Sequence, residues 1–151
     1  MILIKGNKGD NMKKLNILMM TSIFLVSIIL TGCGKKELKD GTFTGVVTKE
    51  EANTKNAGDS TVVLTIKDGK IVDCKYESRD SKGNVKDENY GKEAGEQNYK
   101  KAQKAVVGIR KYPEDLVKTQ DIDKVDSVSG ATVSYKIFVD ATKKALEEAS
   151  K

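Results

Sequence analysis

Late in the chain, Asp126-Ser127-Val128-Ser129-Gly130-Ala131-Thr132-Val133-Ser134 gathers small and hydroxyl-bearing residues just ahead of a segment with helical periodicity. Backbone N–H groups at a helix start have no intrahelical partner, and with the positive end of the helix dipole they favour an anion. Gly130 lets the backbone approach a ligand closely, and Thr132 adds a hydroxyl at the same spot. A phosphate bound or bonded there would be held by backbone donors. A plainer reading of the same residues has Ser129 or Ser134 capping the helix and Gly130-Ala131 making the turn. Local physics alone favours the plainer reading, because short Gly/Ser motifs often occur without a ligand.

The other reactive feature is Cys33. Lys13-Lys14, an apolar stretch from Leu15 to Leu30 and then Thr31-Gly32-Cys33 follow the order of a secretory signal: basic start, apolar centre, small residues before a break. The apolar stretch is shorter than the roughly 20 residues a permanent span needs, and Asn16, Thr21, Ser22 and Ser27 interrupt it. Leu30-Thr31-Gly32-Cys33 resembles the lipobox of bacterial lipoproteins. That resemblance implies a diacylglyceryl group on the Cys33 sulfur and cleavage just before it. Met12 directly precedes the two lysines, which is compatible with residues 1–11 being a start-site extension. The expected organisation is a signal peptide over 1–32, a lipidated polar tether over 33–39 and one domain over 40–151, on the extracytoplasmic face of a cell membrane.

Composition narrows the chemistry further. The chain of 151 residues carries 27 basic and 22 acidic side chains, a net charge of +5. Lys5, Lys8, Lys13, Lys14 and Asp10 fall in the expected signal, so the mature chain has 23 basic and 21 acidic residues and a net charge of only +2. So small a charge is weak support for nucleic-acid binding, and Arg79 and Arg110 leave few tools for bidentate readout of phosphate or bases. The absence of histidine excludes His-based triads, His zinc sites and His haem ligation. With Cys33 acylated, Cys74 is alone, so the exported domain must be stable without a disulfide.

The elements that would position these groups can be read from patterning. Asp40-Gly41 signals a turn before a candidate strand, Thr42 to Val47, and Lys49 to Ser60 reads as a loop. Thr61 to Ile66 and Ile71 to Tyr76 flank Lys67-Asp68-Gly69-Lys70, which predicts a tight hairpin because Gly supplies the positive φ the turn needs. Alternation puts Val62, Leu64 and Ile66 on one face of the first strand and Val72, Cys74 and Tyr76 on one face of the second. Cys74 then reads as a small core residue rather than a reactive thiol. Glu77 to Gly95 is charged and glycine-containing, and reads as an exposed connection. Tyr99, Ala102, Val106 and Ile109 form a helical stripe, and Pro113 suits the first turn of a second short helix through Val117. A last helix from about Ser134 lines up Ile137, Phe138, Ala141, Ala145, Leu146 and Ala149. The predicted fold is α+β: a small antiparallel sheet packed by two to three helices.

Asp126 to Ser134 resembles the Asp…Ser/Thr-Gly-Ala-Thr-x-Ser/Thr signature of the FMN-binding domain. That domain occurs in peripheral subunits of the sodium-pumping NADH:quinone oxidoreductase and of the Rnf complex, and in surface lipoproteins of the major membrane immunogen and extracellular electron-transfer types. The likeness extends to Asp40-Gly41-Thr42-Phe43-Thr44-Gly45 and to Lys67-Asp68-Gly69-Lys70-Ile71-Val72. It implies that Thr132 is esterified to the phosphate of FMN by an exported flavin transferase that uses FAD and magnesium. Ser129, Gly130 and Ala131 would give the enzyme access to the hydroxyl, Asp126 would match the acidic position, and Ser134 would close the box. Few large aromatics are available to flank the flavin ring: Tyr76, Tyr90, Tyr99, Tyr112 and Tyr135 remain, and Tyr135, next to the box, is the first candidate, although a core or surface tyrosine is its more ordinary reading.

The implied role is an electron carrier rather than an enzyme, passing electrons from a quinone-linked or Rnf-like membrane donor to an extracellular acceptor or reductase. The competing expectation is a surface-exposed binding module that keeps the fold without flavin and uses Glu77 to Gly95 for contact. A flavin reductase is disfavoured, because the chain has no nicotinamide fingerprint and no convergent acid–base set.

Overall fold

The computed structural model describes residues 37–151. The signal segment and Cys33 lie outside the described residues. Within them, three strands form an antiparallel meander in the order β1-β2-β3: β1 (Gly41–Val47), β2 (Ser60–Lys67) and β3 (Lys70–Ser78). The hairpin forms as the sequence predicts. Lys67 pairs with Lys70, and Asp68 and Gly69 both adopt positive φ, 51° and 68°, the pattern of a tight two-residue turn.

One face of the sheet is covered by two helices, α2 (Glu96–Thr119) against β3 and α3 (Thr132–Ala149) across β1 and β2. The expected α+β architecture is therefore observed, with a third, short helix α1 (Lys49–Ala52) joining β1 to β2. That segment was expected to be loop. A reciprocal capping box makes it helical: Thr48 Oγ1 accepts from the Glu51 N–H, and the Glu51 carboxylate accepts from the Thr48 N–H at 2.8 Å. The core joins Val62, Leu64 and Ile66 to Leu116, Ile137 and Phe138. Small residues on α3 allow close packing on the sheet. A Cβ at Gly45 would lie 1.8 Å from the Ala141 carbonyl oxygen, so α3 rests directly on the β1 backbone.

Two other expectations are corrected. Thr65 pairs with Asp73 but Ile66 pairs with Ile71, so Val72 is the extra residue of a β-bulge. The bulge shifts the alternation, turning Ile71 into the core and leaving Val72 47% exposed, while Cys74 and Tyr76 keep the inward face. The Gln120 side chain serves the backbone there, accepting from the Ile71 N–H at 2.9 Å and donating to the Ile71 carbonyl at 2.8 Å. Pro113 does not begin a second helix, because α2 runs through it. Proline in a helix interior costs about 3 kcal/mol. The buried stripe Val106, Ile109, Tyr112 and Leu116 continues across Pro113, and each such side chain contributes roughly 1.5–3 kcal/mol, so burial wins.

Candidate functional site

The segment from Val125 to Ser134 is suspended from a cluster of aromatic rings. Tyr112 is fully buried, its ring 5.4 Å from that of Tyr135 and 5.7 Å from that of Phe138, and Tyr76 packs on Phe138 at 5.1 Å. Three hydroxyls reach from these rings to the backbone above. Tyr112 Oη donates to the Ala131 carbonyl and accepts from the Val128 N–H, both at 3.2 Å. Tyr135 Oη donates to the Val125 carbonyl at 2.7 Å, and Tyr76 Oη donates to the Ser134 carbonyl at 2.9 Å. Burial pushes the Tyr76 phenol up to about 12 and raises that of Tyr112, so both remain protonated donors at neutral pH.

Between these anchors the chain makes a tight turn. The Ala131 N–H donates to the Val128 carbonyl at 2.9 Å, and Gly130, third in the turn, has φ +85°, which fits a type II turn and favours glycine. Gly108 on α2 makes room for it: a Cβ there would lie 2.5 Å from that of Ala131 and 3.1 Å from Tyr112 Oη. The turn delivers the chain to α3 at Thr132, two residues earlier than the periodicity suggests. Ala131 is the N-cap and no side chain caps the helix, so neither Ser129 nor Ser134 plays the expected capping part. Ser134 is buried in the first turn of α3.

Thr132 is exposed at the first helical position, on the rim of an open cleft of about 1210 Å³. The cleft exceeds the roughly 300–1,000 Å³ typical of small-molecule pockets, so it has room for a nucleotide. Gly130, Ala131, Thr132 and Ser134 line it together, whereas Ser129 and Asp126 are exposed and stand outside its lining. Val133, which the sequence reading did not single out, also lines it. Lys82, Lys86, Lys92 and Lys101 outnumber Asp80, Asp87 and Glu93 there, so the lining suits a singly charged anion.

The other wall of the cleft is the 80–94 segment, an exposed connection as expected, and hydrogen bonds fix it in place. Burial opposes ionisation of Asp80, but hydrogen bonds outweigh it and hold the carboxyl below its ordinary range: Oδ1 accepts from the Lys82 and Asn84 N–H groups at 2.9 Å, and Oδ2 accepts from Asn84 Nδ2 at 3.0 Å. Burial lowers the Lys86 ammonium, partly countered by Asp80. Gln103 Nε2 donates to the carbonyls of Asp87 and Tyr90 at 3.2 and 3.1 Å, and Tyr99 Oη donates to that of Glu88 at 2.8 Å. Tyr90 lines the cleft, whereas Tyr135 does not and packs against the core, the more ordinary of its two readings. Its hydroxyl and one ring edge are already engaged by Val125 and Tyr112.

No curated protein matches the chain. Its fold resembles a crystal structure of the CPE2226 protein from Clostridium perfringens, with a TM-score of 0.54 and 23% sequence identity, over 74% of this chain and 88% of that one. The sequence profile described as the FMN-binding domain matches residues 56–147, a span that holds every residue lining the cleft. Because that match covers well over half of the chain, the protein belongs to the FMN-binding domain family.

Proposed function

We propose that this chain is a membrane-anchored, extracytoplasmic flavoprotein that carries electrons through an FMN joined by a phosphoester to Thr132. The observation that carries the reading is the setting of Thr132: an exposed hydroxyl residue at the start of an uncapped helix, on the rim of a cleft in an FMN-binding domain. The residues present fit such a group. The first-turn N–H groups of α3 and the helix dipole would favour the single negative charge that a phosphodiester keeps. Gly130 and Ala131 place no bulk in front of the hydroxyl, so a modifying flavin transferase can reach it. Bound flavin supplies one- and two-electron chemistry, while the protein supplies position and electrostatics.

Outside the cytoplasm a dissociating cofactor is diluted away, and a covalent link removes that loss. Lipid on Cys33, read from the residues before it, would keep the domain near membrane electron donors and leave it facing an extracellular acceptor. No convergent acid–base set is needed for that work, and the chain acts as a carrier rather than an enzyme.

Intact mass of the full chain, co-expressed with a flavin transferase and supplied with FAD and magnesium, tests the proposal. One FMN adduct is expected on the wild type and none on Thr132→Ala, with in-gel flavin fluorescence of the denatured protein following the mass. A wild-type chain that stays unmodified beside a demonstrably active transferase overturns it.

A further inference from the structure

Seven aromatic residues lie among those described, and most are committed elsewhere. Tyr76, Tyr112, Tyr135 and Phe138 pack on one another beneath the box. Tyr99 donates to the Glu88 carbonyl and has the Lys92 ammonium 5.9 Å from its ring centre. Phe43 lies on β1 and packs against the core. Tyr90 is the one aromatic that lines the same cleft as Thr132.

Its ring is held in advance. The Tyr90 N–H donates to the Asp87 carbonyl at 3.1 Å, its carbonyl accepts from Gln103 Nε2 at 3.1 Å, and burial together with the neighbouring Asp80 carboxylate raises the pKa of its phenol. Tyr90 is half-buried, so part of the side chain remains open to the cleft. A ring already ordered loses little further freedom when a second ring packs on it.

The spacing is set by α2, which both walls touch. A Cβ on Gly91, the neighbour of Tyr90, would lie 2.8 Å from that of Ala102, and Gly108 meets Ala131, the neighbour of Thr132. Both walls are thereby fixed to one helix, at contact points about 9 Å apart along its axis at 1.5 Å per residue.

From this we infer that Tyr90 is the ring-binding residue of the cleft, its phenol lying against the isoalloxazine of an FMN attached at Thr132. The inference rests on the flavin attachment proposed above and adds where the ring goes. Aromatic rings prefer offset or edge contacts worth about 0.5–1.5 kcal/mol beyond their area burial, enough to bias a tethered ring toward one wall. Contact has an optical signature. The phenol of Tyr90 donates one electron to the photoexcited ring and recovers it by back-transfer, so emission is lost with no net chemistry.

The test compares full chains co-expressed with the flavin transferase, and intact mass comes first. A wild type without adduct removes the attachment reading and this inference with it. With equal adduct on all chains, native wild type should emit weakly, and urea should raise its emission several-fold. Tyr90→Ala should show the raised level without urea. Tyr90→Phe, which keeps the shape and removes the electron donor, should also rise, and circular dichroism shows which variants keep the fold. Tyr135→Phe should stay dim. Emission unchanged in both Tyr90 variants, or raised by Tyr135→Phe instead, overturns the inference.

Discussion

The two walls of the cleft, residues 130–134 and residues 80–94, are held by opposite means. The first hangs from inside, through tyrosine hydroxyls whose rings belong to the buried core. The second is fastened from outside, by Gln103, Tyr99 and the Arg110–Glu88 pair, whose 2.9 Å contact joins two exposed side chains. Exposed ion pairs contribute about 0–1 kcal/mol and single hydrogen bonds roughly 0.5–1.5 kcal/mol, whereas a buried ring cannot leave without opening the core. The box therefore shares the stability of the whole domain, and the facing wall can open on its own at lower free energy. The hydroxyl proposed for attachment sits on the rigid side, and the residue proposed for ring contact on the adjustable one.

The strongest way to break this contrast is at Tyr112. Truncating a buried aromatic to alanine costs about 3–5 kcal/mol, a large share of the 5–15 kcal/mol that stabilises a typical domain. Tyr112→Ala should accordingly lower the urea midpoint drastically. Tyr112→Phe keeps the ring but removes the partner of the Val128 N–H, an expected loss of about 1–3 kcal/mol. A Tyr112→Phe chain as stable as the wild type would mean the box does not hang from that hydroxyl.

How much of this was legible differs between the walls for the same reason. The box announces itself locally: Gly130 is where the turn needs positive φ, and the apolar spacing from Ile137 to Ala149 marks the helix that follows. Its support was not legible, because Tyr112 lies 19 residues away from Ala131 and meets it only after α2 packs. The bland alanine at the helix cap was missed too, since serines on either side offered an apparent cap. Residues 80–94 read as loop because their order comes from side chains, of Asp80 within the segment and of α2 beside it, that bond to their backbone, which leaves no periodicity. The Lys67-Asp68-Gly69-Lys70 turn was legible, yet the bulge at Val72 two residues later was not, because nothing in an alternating strand marks the place where one residue is skipped.

The walls should also differ in acid, where only the 80–94 segment loses a contribution. Tyr76, which donates to the Ser134 carbonyl, has a folded-state pKa raised from 10.0 to about 12, and the buried Cys74 thiol is pushed from 9.0 to about 12, in both cases chiefly by desolvation. A raised pKa favours the fold while the group is neutral in both states, so this contribution is complete below the unfolded values and is lost as pH climbs toward 12. Asp80, on the other wall, has a lowered pKa, so its contribution is present above its ordinary 3.8 and is lost as pH falls through the folded value. Thermal melts followed by circular dichroism should be flat to about pH 9 and then decline. Amide exchange at residues 82 and 84 should depart from its intrinsic acid dependence at low pH while Ala131 stays protected. Parallel loss at both sites in acid would contradict separate fastening.

The finest test is Gln103→Ala, which removes both donors to the Asp87 and Tyr90 carbonyls. Gln103 is half-buried and its partners are backbone carbonyls near solvent, which water can serve once the amide is gone. The cost in global stability should therefore stay within about 1 kcal/mol. Its local effect should be larger in proportion, because those two bonds are a main fastening of the segment. Exchange of the Tyr90, Lys92 and Ala94 amides, whose acceptors are Asp87, Asn89 and Gly91, should quicken roughly five- to tenfold for about 1 kcal/mol of lost local stability, with Ala131 unchanged. Equal acceleration at Ala131 would show the two walls opening as one unit. No change at Tyr90 would show that the segment is held by Tyr99 and Glu88 instead, and would move the adjustable hinge of the cleft toward Gly91.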